Sequence, residues 1–245
     1  IVSCADDSSV RTWDAESGTV LNVMTGHEDE VWSVNISPDG VHIASGAQNG
    51  TVYQWNSATA AWKPTLSTVV SVDHGIYTVH YSPDGTSLLT TTADRMIRTW
   101  DAFSLTLLRT FHGHSHVVRS AVFSDMNTIF SGSADRTIRI WDANTTECLA
   151  VLEGHEDEVT CVAVSPRGDK VVSGSIDRTI RLWDPETKEL LAILRDHTDT
   201  VLAVSFSHDG NQLVSASGDC TIRLWDLQAN ITSTLDSLSP HKSPI

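Results

Sequence analysis

The stretch "SGSADRTIRIWD", residues 131–142, decides the fold because the chain carries six versions of it. Successive tryptophans of these stretches are 42, 45, 41, 42 and 42 residues apart. A period this steady is typical of an array built from one supersecondary unit. The other versions are "SCADDSSVRTWD" from Ser3, "SGAQNGTVYQWN" from Ser45, "TTTADRMIRTWD" from Thr90, "SGSIDRTIRLWD" from Ser173 and "SASGDCTIRLWD" from Ser215.

A serine, an aspartate and a histidine occur within this stretch and just before it. Ser131 and Asp135 belong to the quoted residues, and His114 precedes Ser131 by 17 residues. These residue types form nucleophilic triads, but an enzyme needs one such site and this chain repeats the arrangement. The repetition indicates a structural role, so we expect no catalytic residue and no enzymatic activity.

Composition and charge narrow the class of protein. The chain has 245 residues, 40% of them hydrophobic and 19% charged, which is typical of a globular protein. A net charge of −15 would repel phosphate backbones, so direct nucleic-acid binding is disfavoured. The longest apolar runs, such as "LLAIL" from Leu190, are far shorter than the roughly 20 residues that span a bilayer. We expect a soluble protein without membrane contact.

The four cysteines are scattered and indicate a reducing compartment. Cys4, Cys148, Cys161 and Cys220 form none of the close pairs that mark zinc sites or disulfide frameworks. No charged-then-apolar leader is visible before or after Ile1. The expected location is therefore the cytoplasm, with the nucleus as the alternative.

Each repeat contains short β-rich runs separated by turn signals. Residues 153–194 read as "VTCVAV", "VVSGS", "IRLWD" and "LLAIL", joined by turns such as "SPRGDK". Four short strands make a small antiparallel meander that cannot bury both faces alone, so successive sheets must stack. The sequence predicts an all-β protein, a β-propeller of four-stranded antiparallel blades with about six blades present.

Glycine–histidine pairs at Gly26-His27, Gly113-His114 and Gly154-His155, each followed by Trp-Asp or Trp-Asn 27 or 28 residues later, resemble the WD-repeat family. The family implies blades of strands a to d, with the d–a and b–c loops on one face. It also implies a hydrogen-bonded tetrad of aspartate, histidine, serine or threonine, and tryptophan in each blade. Carried over, the tetrads are Asp135, His114, Ser131 and Trp141; Asp177, His155, Ser173 and Trp183; and Asp219, His197, Ser215 and Trp225.

Two repeats depart from this pattern. The second has Asn49 in place of the aspartate, so His27 should lose a charge-assisted hydrogen bond. The third keeps Asp94, Thr90 and Trp100, but its histidine, His74, aligns two residues beyond His27. We expect its tetrad to be disturbed, with His74 facing solvent on the d–a side.

The predicted domain is a WD-repeat propeller over residues 1–235, followed by the start of a truncated repeat at 236–245. Ile1 falls at strand b, so the first blade should lack strand a. We expect a fragment of a seven-bladed ring, with a strained six-bladed closure as the alternative. The predicted repeats are 1–24, 25–68, 69–111, 112–152, 153–194 and 195–235.

The predicted function is a scaffold that binds protein or peptide partners on the loops of one face. Trp32 lies outside the repeat motif, and its aligned positions are Tyr77, Arg119, Thr160 and Leu202. Aromatic residues and arginine dominate binding hot spots, while Glu30 and Glu158 nearby favour a basic partner. The alternative for Trp32 is simple packing against a neighbouring blade.

The sequence offers three alternative functions. Arg119 stands where related family members bind phosphorylated peptides, which implies a phosphopeptide-reading adaptor as one alternative. The near-identical repeats are similar to those of fungal incompatibility-type signalling NTPases, which implies a C-terminal sensing region as another. His112, His114 and His116 alternate as metal ligands can. However, His114 belongs to a tetrad, and we expect no metal, no cofactor and no small-molecule substrate.

Overall fold

The computed structural model describes residues 1–60, 62–67, 75–227 and 231–233. Within these residues the chain forms 23 strands and no helix. No helix that could cross a membrane is therefore found there. Residues 68–74, which include His74, and the predicted truncated repeat at 236–245 lie outside the described residues.

The strands group into sheets whose order follows the chain. The first sheet has three strands, β1 (Val2–Cys4), β2 (Ser9–Trp13) and β3 (Val20–Thr25). The second has four: β4 (Val31–Ile36), β5 (His42–Ala47), β6 (Thr51–Asn56) and β7 (Trp62–Ser67). The third is formed by β8 (Ile76–Tyr81), β9 (Ser87–Thr92), β10 (Ile97–Asp101) and β11 (Leu107–Phe111).

Three further four-stranded sheets follow. They are β12 (Val118–Phe123), β13 (Thr128–Ser133), β14 (Ile138–Asp142) and β15 (Cys148–Leu152); β16 (Val159–Val164), β17 (Val171–Ser175), β18 (Ile180–Trp183) and β19 (Leu190–Leu194); and β20 (Val201–Phe206), β21 (Gln212–Ser217), β22 (Ile222–Asp226) and β23 (Ile231–Ser233). Neighbouring strands pair antiparallel, as between β16 and β17. The predicted all-β array of small propeller blades is confirmed.

The chain forms two compact units. The first comprises residues 1–129 and 141–148, and the second comprises 130–140 and 149–245. In the first unit, one apolar core joins Val10, Val31, Ile43 and Trp55, so it draws on the first two sheets. In the second unit, Val172, Val201, Leu213 and Trp225 form a core between the fifth and sixth sheets. Each core therefore lies between successive repeats, as expected for units that cannot bury both faces alone.

Strand b is deeply enclosed in the second, third, fourth and fifth sheets. Every residue of β17 is buried, and so are five of the six residues of β5. Gly46 of β5 has no room for a side chain, because a Cβ there would lie 3.0 Å from Val79 Cγ1 of the next sheet. Gly174 of β17 is equally crowded, with Val201 Cγ1 only 2.6 Å from the position of a Cβ. These glycines set a close spacing between successive sheets.

Strand a of one sheet also bonds to strand a of the next through side chains. In the first unit, Ser33 Oγ accepts a hydrogen bond from the Val79 amide at 3.0 Å, and Asn35 Oδ1 accepts one from the Tyr81 amide at 3.1 Å. Since an edge strand otherwise has unpaired amides, these side chains satisfy donors that no strand pairs.

Candidate functional site

The fifth and sixth repeats bring their aspartate, histidine, serine and tryptophan into one hydrogen-bonded chain. His155 Nδ1 lies 2.8 Å from Asp177 Oδ2, and His155 Nε2 lies 2.8 Å from Ser173 Oγ. The indole N–H of Trp183 donates to the same oxygen at 2.9 Å. The sixth repeat matches this geometry, with contacts of 2.8, 2.7 and 2.8 Å through His197.

The hydrogen-bond partners determine which atom of each side chain donates and which accepts. Because a carboxylate only accepts, His155 Nδ1 carries the proton and Nε2 accepts the hydroxyl proton of Ser173. Burial raises the pKa of Asp177, but hydrogen bonds from His155, Thr179 and the Glu156 amide outweigh burial and hold that pKa well below its usual value. The Ser173 oxygen is occupied by the hydrogen bonds to His155 and Trp183. Because Ser173 is also fully buried, this oxygen cannot reach a substrate.

In the fourth repeat, His114, Ser131 and Trp141 are all buried. Asp135 Oδ1 accepts hydrogen bonds from the Thr137 amide at 3.0 Å and the Thr137 hydroxyl at 2.6 Å, as the aspartates of the next two repeats do with their own threonines. The tetrad of these four residues stays a prediction.

The second repeat forms a comparable hydrogen-bonded network with an asparagine in place of the aspartate. Asn49 Oδ1 accepts from the Thr51 hydroxyl at 2.7 Å, and Thr51 Oγ1 lies 3.2 Å from His27 Nδ1. His27 Nε2 lies 2.7 Å from Ser45 Oγ, and the Tyr53 ring stacks on the imidazole at 4.3 Å. Burial lowers the pKa of His27 to about 4, so this imidazole is held neutral in a largely apolar setting.

In the first and third repeats, the aspartate pairs with the arginine four residues later. The ion pairs join Asp7 with Arg11 at 2.5 Å and Asp94 with Arg98 at 2.6 Å. No histidine among the described residues contacts either aspartate. Trp100 still donates to Thr90 Oγ1 at 2.9 Å, so the third repeat keeps the hydrogen bond between the strand b hydroxyl and the tryptophan.

Four of the predicted partner-binding residues meet in the first unit, although they come from three successive repeats. The indole N–H of Trp32 donates to Glu30 Oε2 at 3.1 Å. The Trp32 ring stacks on Tyr77 with centroids 5.2 Å apart and planes 30° apart. Arg119 Cζ lies 5.1 Å from the centroid of the Tyr77 ring. We call Glu30, Trp32, Tyr77 and Arg119 the rim ladder.

A backbone irregularity places these residues. Val31 pairs with Ala47 and Ser33 pairs with Gly46, so Trp32 is the extra residue of a β-bulge. Tyr77 occupies the corresponding bulge in β8. A bulge turns a side chain away from the regular alternation of the strand, which explains why these aromatic rings can stack across sheets.

Gly75 completes the ladder, and its role was not predicted from the sequence. A Cβ at this position would lie 3.0 Å from Trp32 Cη2, so only glycine lets the indole rest here. The signal was available, because Gly75 aligns with Glu30 and Glu158, and a glycine in place of a larger residue often marks a close approach of another group.

The other three candidates lie in the second unit. Thr160 and Leu202 occupy the equivalent bulges of β16 and β20. The Thr160 hydroxyl lies within hydrogen-bond distance of the carbonyls of Gly174 and Val201 and has one proton to donate to them, so it is used in strand packing. Leu202 is 57% exposed, and Glu158 is partly buried. No group of three or more His, Cys, Asp or Glu side chains suited to a metal ion occurs among the described residues.

These features define a class: an all-β repeat protein of stacked four-stranded blades, tied by polar networks and carrying loops and bulged residues at one end of the strands. The family model of the "WD domain, G-beta repeat" matches residues 18–56, 65–101, 105–142, 146–184 and 188–226. The chain belongs to this WD-repeat family.

Several curated proteins are similar to this chain. WD repeat-containing protein VIP3 of Arabidopsis thaliana is 31% identical over 53% of this chain and 44% of its own length. Periodic tryptophan protein 2 of the same plant is 30% identical over 51% of this chain and 14% of its own. Eukaryotic translation initiation factor 3 subunit I of Neosartorya fischeri is 32% identical over 39% and 27%. The chain thus spans less than half the length of these relatives.

Proposed function

We propose that the chain binds a protein or peptide partner at the rim ladder. The observation that carries the proposal is the continuous stack of Trp32, Tyr77 and Arg119 across three repeats. All three side chains are partly exposed. Rigid aromatic and arginine side chains on a fixed scaffold are the residues that contribute most to binding energy.

The charges around the ladder favour a basic partner. Glu30 belongs to the ladder, and Glu28 and Asp29 precede it in the same d–a loop, whereas Arg119 is the single cation of the stack. The whole chain carries 31 acidic and 16 basic residues. Like charges across an interface are unfavourable, so a segment with lysine or arginine beside an apolar anchor fits best.

The alternative function is recognition of a phosphorylated peptide through Arg119. The observation that favours it is the Arg119 guanidinium, whose Cζ lies 5.1 Å from the centroid of the Tyr77 ring, because the planar fork of an arginine matches the oxygens of a phosphate. The acidic neighbours oppose this alternative. A further alternative is that this repeat array is the C-terminal sensing region of a fungal incompatibility-type signalling NTPase.

The test uses three peptide pools of equal length, one rich in lysine and arginine, one rich in glutamate and one carrying phosphoserine. Binding to the purified chain is measured by fluorescence anisotropy. Trp32→Leu replaces the indole by the residue at the aligned position of the sixth repeat, and Glu30→Gln removes a charge while keeping an acceptor for the indole N–H. Glu16→Ala, an exposed turn substitution in the first sheet, is the control.

We expect the basic pool to bind best, Trp32→Leu to weaken it about tenfold or more as hot-spot losses do, and Glu30→Gln to weaken it by a smaller factor. Preference for the phosphoserine pool, lost in Arg119→Leu, would favour the phosphopeptide alternative. If Trp32→Leu lowers the melting temperature but leaves binding unchanged, Trp32 only packs against its neighbouring sheet and the proposal is wrong.

A further inference from the structure

A second surface lies at the other ends of the strands in the first unit. It is a cleft of 530 Å³ between the second and third sheets, lined among others by Asp39, His42, Gln54, Tyr81, Asp84 and Phe103. Asp39 and Asp84 stand in the turns that follow β4 and β8. Trp32 and Tyr77 stand at the starts of these strands, so a strand of about 20 Å separates the cleft from the rim ladder.

Phe103 is the first observation that points to a ligand. It occupies the tip of the turn after β10 and is 76% exposed. The aligned positions in other repeats hold Glu16, Ala58, Asn144 and Glu186. A turn tip that is polar or small elsewhere in the array thus presents an aromatic ring to solvent here, at the edge of a cleft.

Gln54 is the second observation. Its aligned positions hold Thr12, Thr99, Ile140, Leu182 and Leu224, so the second repeat alone has an amide here. Gln54 Nε2 donates to the Tyr81 hydroxyl at 3.1 Å and to the Ala102 carbonyl at 2.9 Å. These two bonds tie the turn that carries Phe103 to the end of β8. The Phe103 backbone is therefore held in place, which lowers the entropy cost of binding at this ring.

The charge of the cleft decides the chemistry of the occupant. Asp39 and Asp84 both line it, and no lysine or arginine does so among the described residues. The Asp39 carboxylate accepts its hydrogen bonds through Oδ1, from the Ser37 hydroxyl at 2.5 Å and the Val41 amide at 2.9 Å. Oδ2 has no partner in the described part of the chain. His42 opposes the two carboxylates only when it is protonated.

From these observations we infer that the cleft is a second docking site, which takes a peptide segment of a partner protein with an aromatic or large aliphatic side chain next to a lysine or arginine. The apolar side chain packs on Phe103, and the cation pairs with Asp39 or Asp84. The volume lies within the range of about 300–1,000 Å³ typical of ligand pockets. This site is independent of the rim ladder, so one scaffold can hold two partners at once.

The experiment uses short synthetic peptides with a fixed phenylalanine flanked by lysine, alanine or glutamate, measured by fluorescence anisotropy against the full chain. Phe103→Asn installs the residue of the fourth repeat at this turn. Asp39→Asn removes the charge and keeps an oxygen for Ser37 and Val41. Glu186→Asn makes the matched turn substitution in the fifth repeat and serves as control. Melting temperatures of all variants are recorded.

We expect the phenylalanine–lysine peptide to bind most tightly, Phe103→Asn to weaken it about tenfold or more, and Asp39→Asn to weaken it and to reduce its salt dependence. The Trp32→Leu variant separates the two sites, because a peptide whose binding it removes belongs to the rim ladder. Equal binding of the glutamate peptide, or full binding by Phe103→Asn, overturns the inference. So does a concentration-dependent dimer that Phe103→Asn abolishes, since the occupant is then a second copy of this chain.

Discussion

At the scale of single residues, the aspartate of the repeat has different partners in different repeats. It bonds histidine in the fifth and sixth repeats and the arginine four residues later in the first and third. The second repeat changes both members of the second pair, to Asn49 and Tyr53. A neutral amide needs no cation, and the tyrosine that replaces arginine stacks on His27 instead. The two substitutions look unrelated in the sequence, but in the structure they change the same hydrogen-bonded network together.

This difference predicts an asymmetry in stability. Asp177→Ala removes the acceptor of the His155 proton and of the Thr179 amide and hydroxyl. We expect it to lower the free energy of unfolding by about 1–3 kcal/mol, since buried donors are left unpaired. Asn49→Ala should cost less, because Asn49 is exposed and does not contact His27. Denaturant titration of both variants gives the comparison.

Asp177→Asn is the control, since it keeps an oxygen acceptor and reproduces the residue of the second repeat. Its cost should fall between those of the two alanine variants. Equal losses for Asp177→Ala and Asn49→Ala would contradict the ranking of the two networks.

At the scale of elements, the sequence predicted the strands better than it predicted their irregularities. Short β-rich runs separated by turn signals such as "SPRGDK" indicate the antiparallel meander. The bulge at the second residue of strand a leaves no such signal, because Trp32, Tyr77, Thr160 and Leu202 share no chemistry. The meeting of the rim residues was predicted from alignment alone, while their stacking depends on the bulge and on Gly75.

Strand β8 also buries a titratable group that its counterparts lack. His80 aligns with Asn35 of β4 and with Val122, Ala163 and Ser205 in later repeats. Its Nδ1 is enclosed and has no hydrogen-bond partner among the described residues. Burial lowers the pKa of His80 to about 4. The folded chain therefore holds this imidazole neutral where an unfolded chain would protonate it.

The sign of the resulting pH dependence follows directly. Between pH 6.5 and about 4 the unfolded state binds a proton that the folded state does not, so the free energy of unfolding falls with falling pH. Above pH 6.5 the contribution of His80 is fully present. His80→Asn, which installs the residue of β4, should flatten this fall by up to about 3 kcal/mol. Urea titrations at pH 7 and pH 4.5 measure it, and an unchanged slope would show that His80 is not held neutral.

At the scale of the whole molecule, the spacing of successive sheets depends on paired residue sizes. Gly46 meets Val79, and Gly132 meets Val162, each across to the next sheet. The third repeat has Thr91 in place of the glycine, and β9 packs against β12, where the residue aligned with Val79 is Ala121. A larger residue on one strand is thus matched by a smaller one on its neighbour.

The sequence predicted the array but not every surface that the array carries. The repeat period alone predicts stacked blades. The cleft at Phe103 was missed because Gln54 and Phe103 lie 49 residues apart in the sequence. Each of them looks like an ordinary substitution at a variable position of the repeat. Only the packing of the second sheet against the third turns these two departures into one site.

Stacking between neighbouring sheets predicts which strands lose stability when one sheet is overpacked. Gly46→Ala forces a methyl group against Ile76 and Val79, and Gly174→Ala forces one against Cys161 and Val201. Each should lower stability by about 1–3 kcal/mol through overpacking. If each sheet is stabilised mainly by its neighbours, Gly46→Ala should speed amide exchange in β5 and β8, while β17 and β20 keep their protection. Gly174→Ala should have the reverse effect on these two pairs of strands. Hydrogen-exchange mass spectrometry reads both sets of strands in one experiment, and Ala216→Gly in β21 reports the effect of the reverse substitution. Equal loss of protection along the whole chain in both variants would mean that the sheets open as one cooperative body.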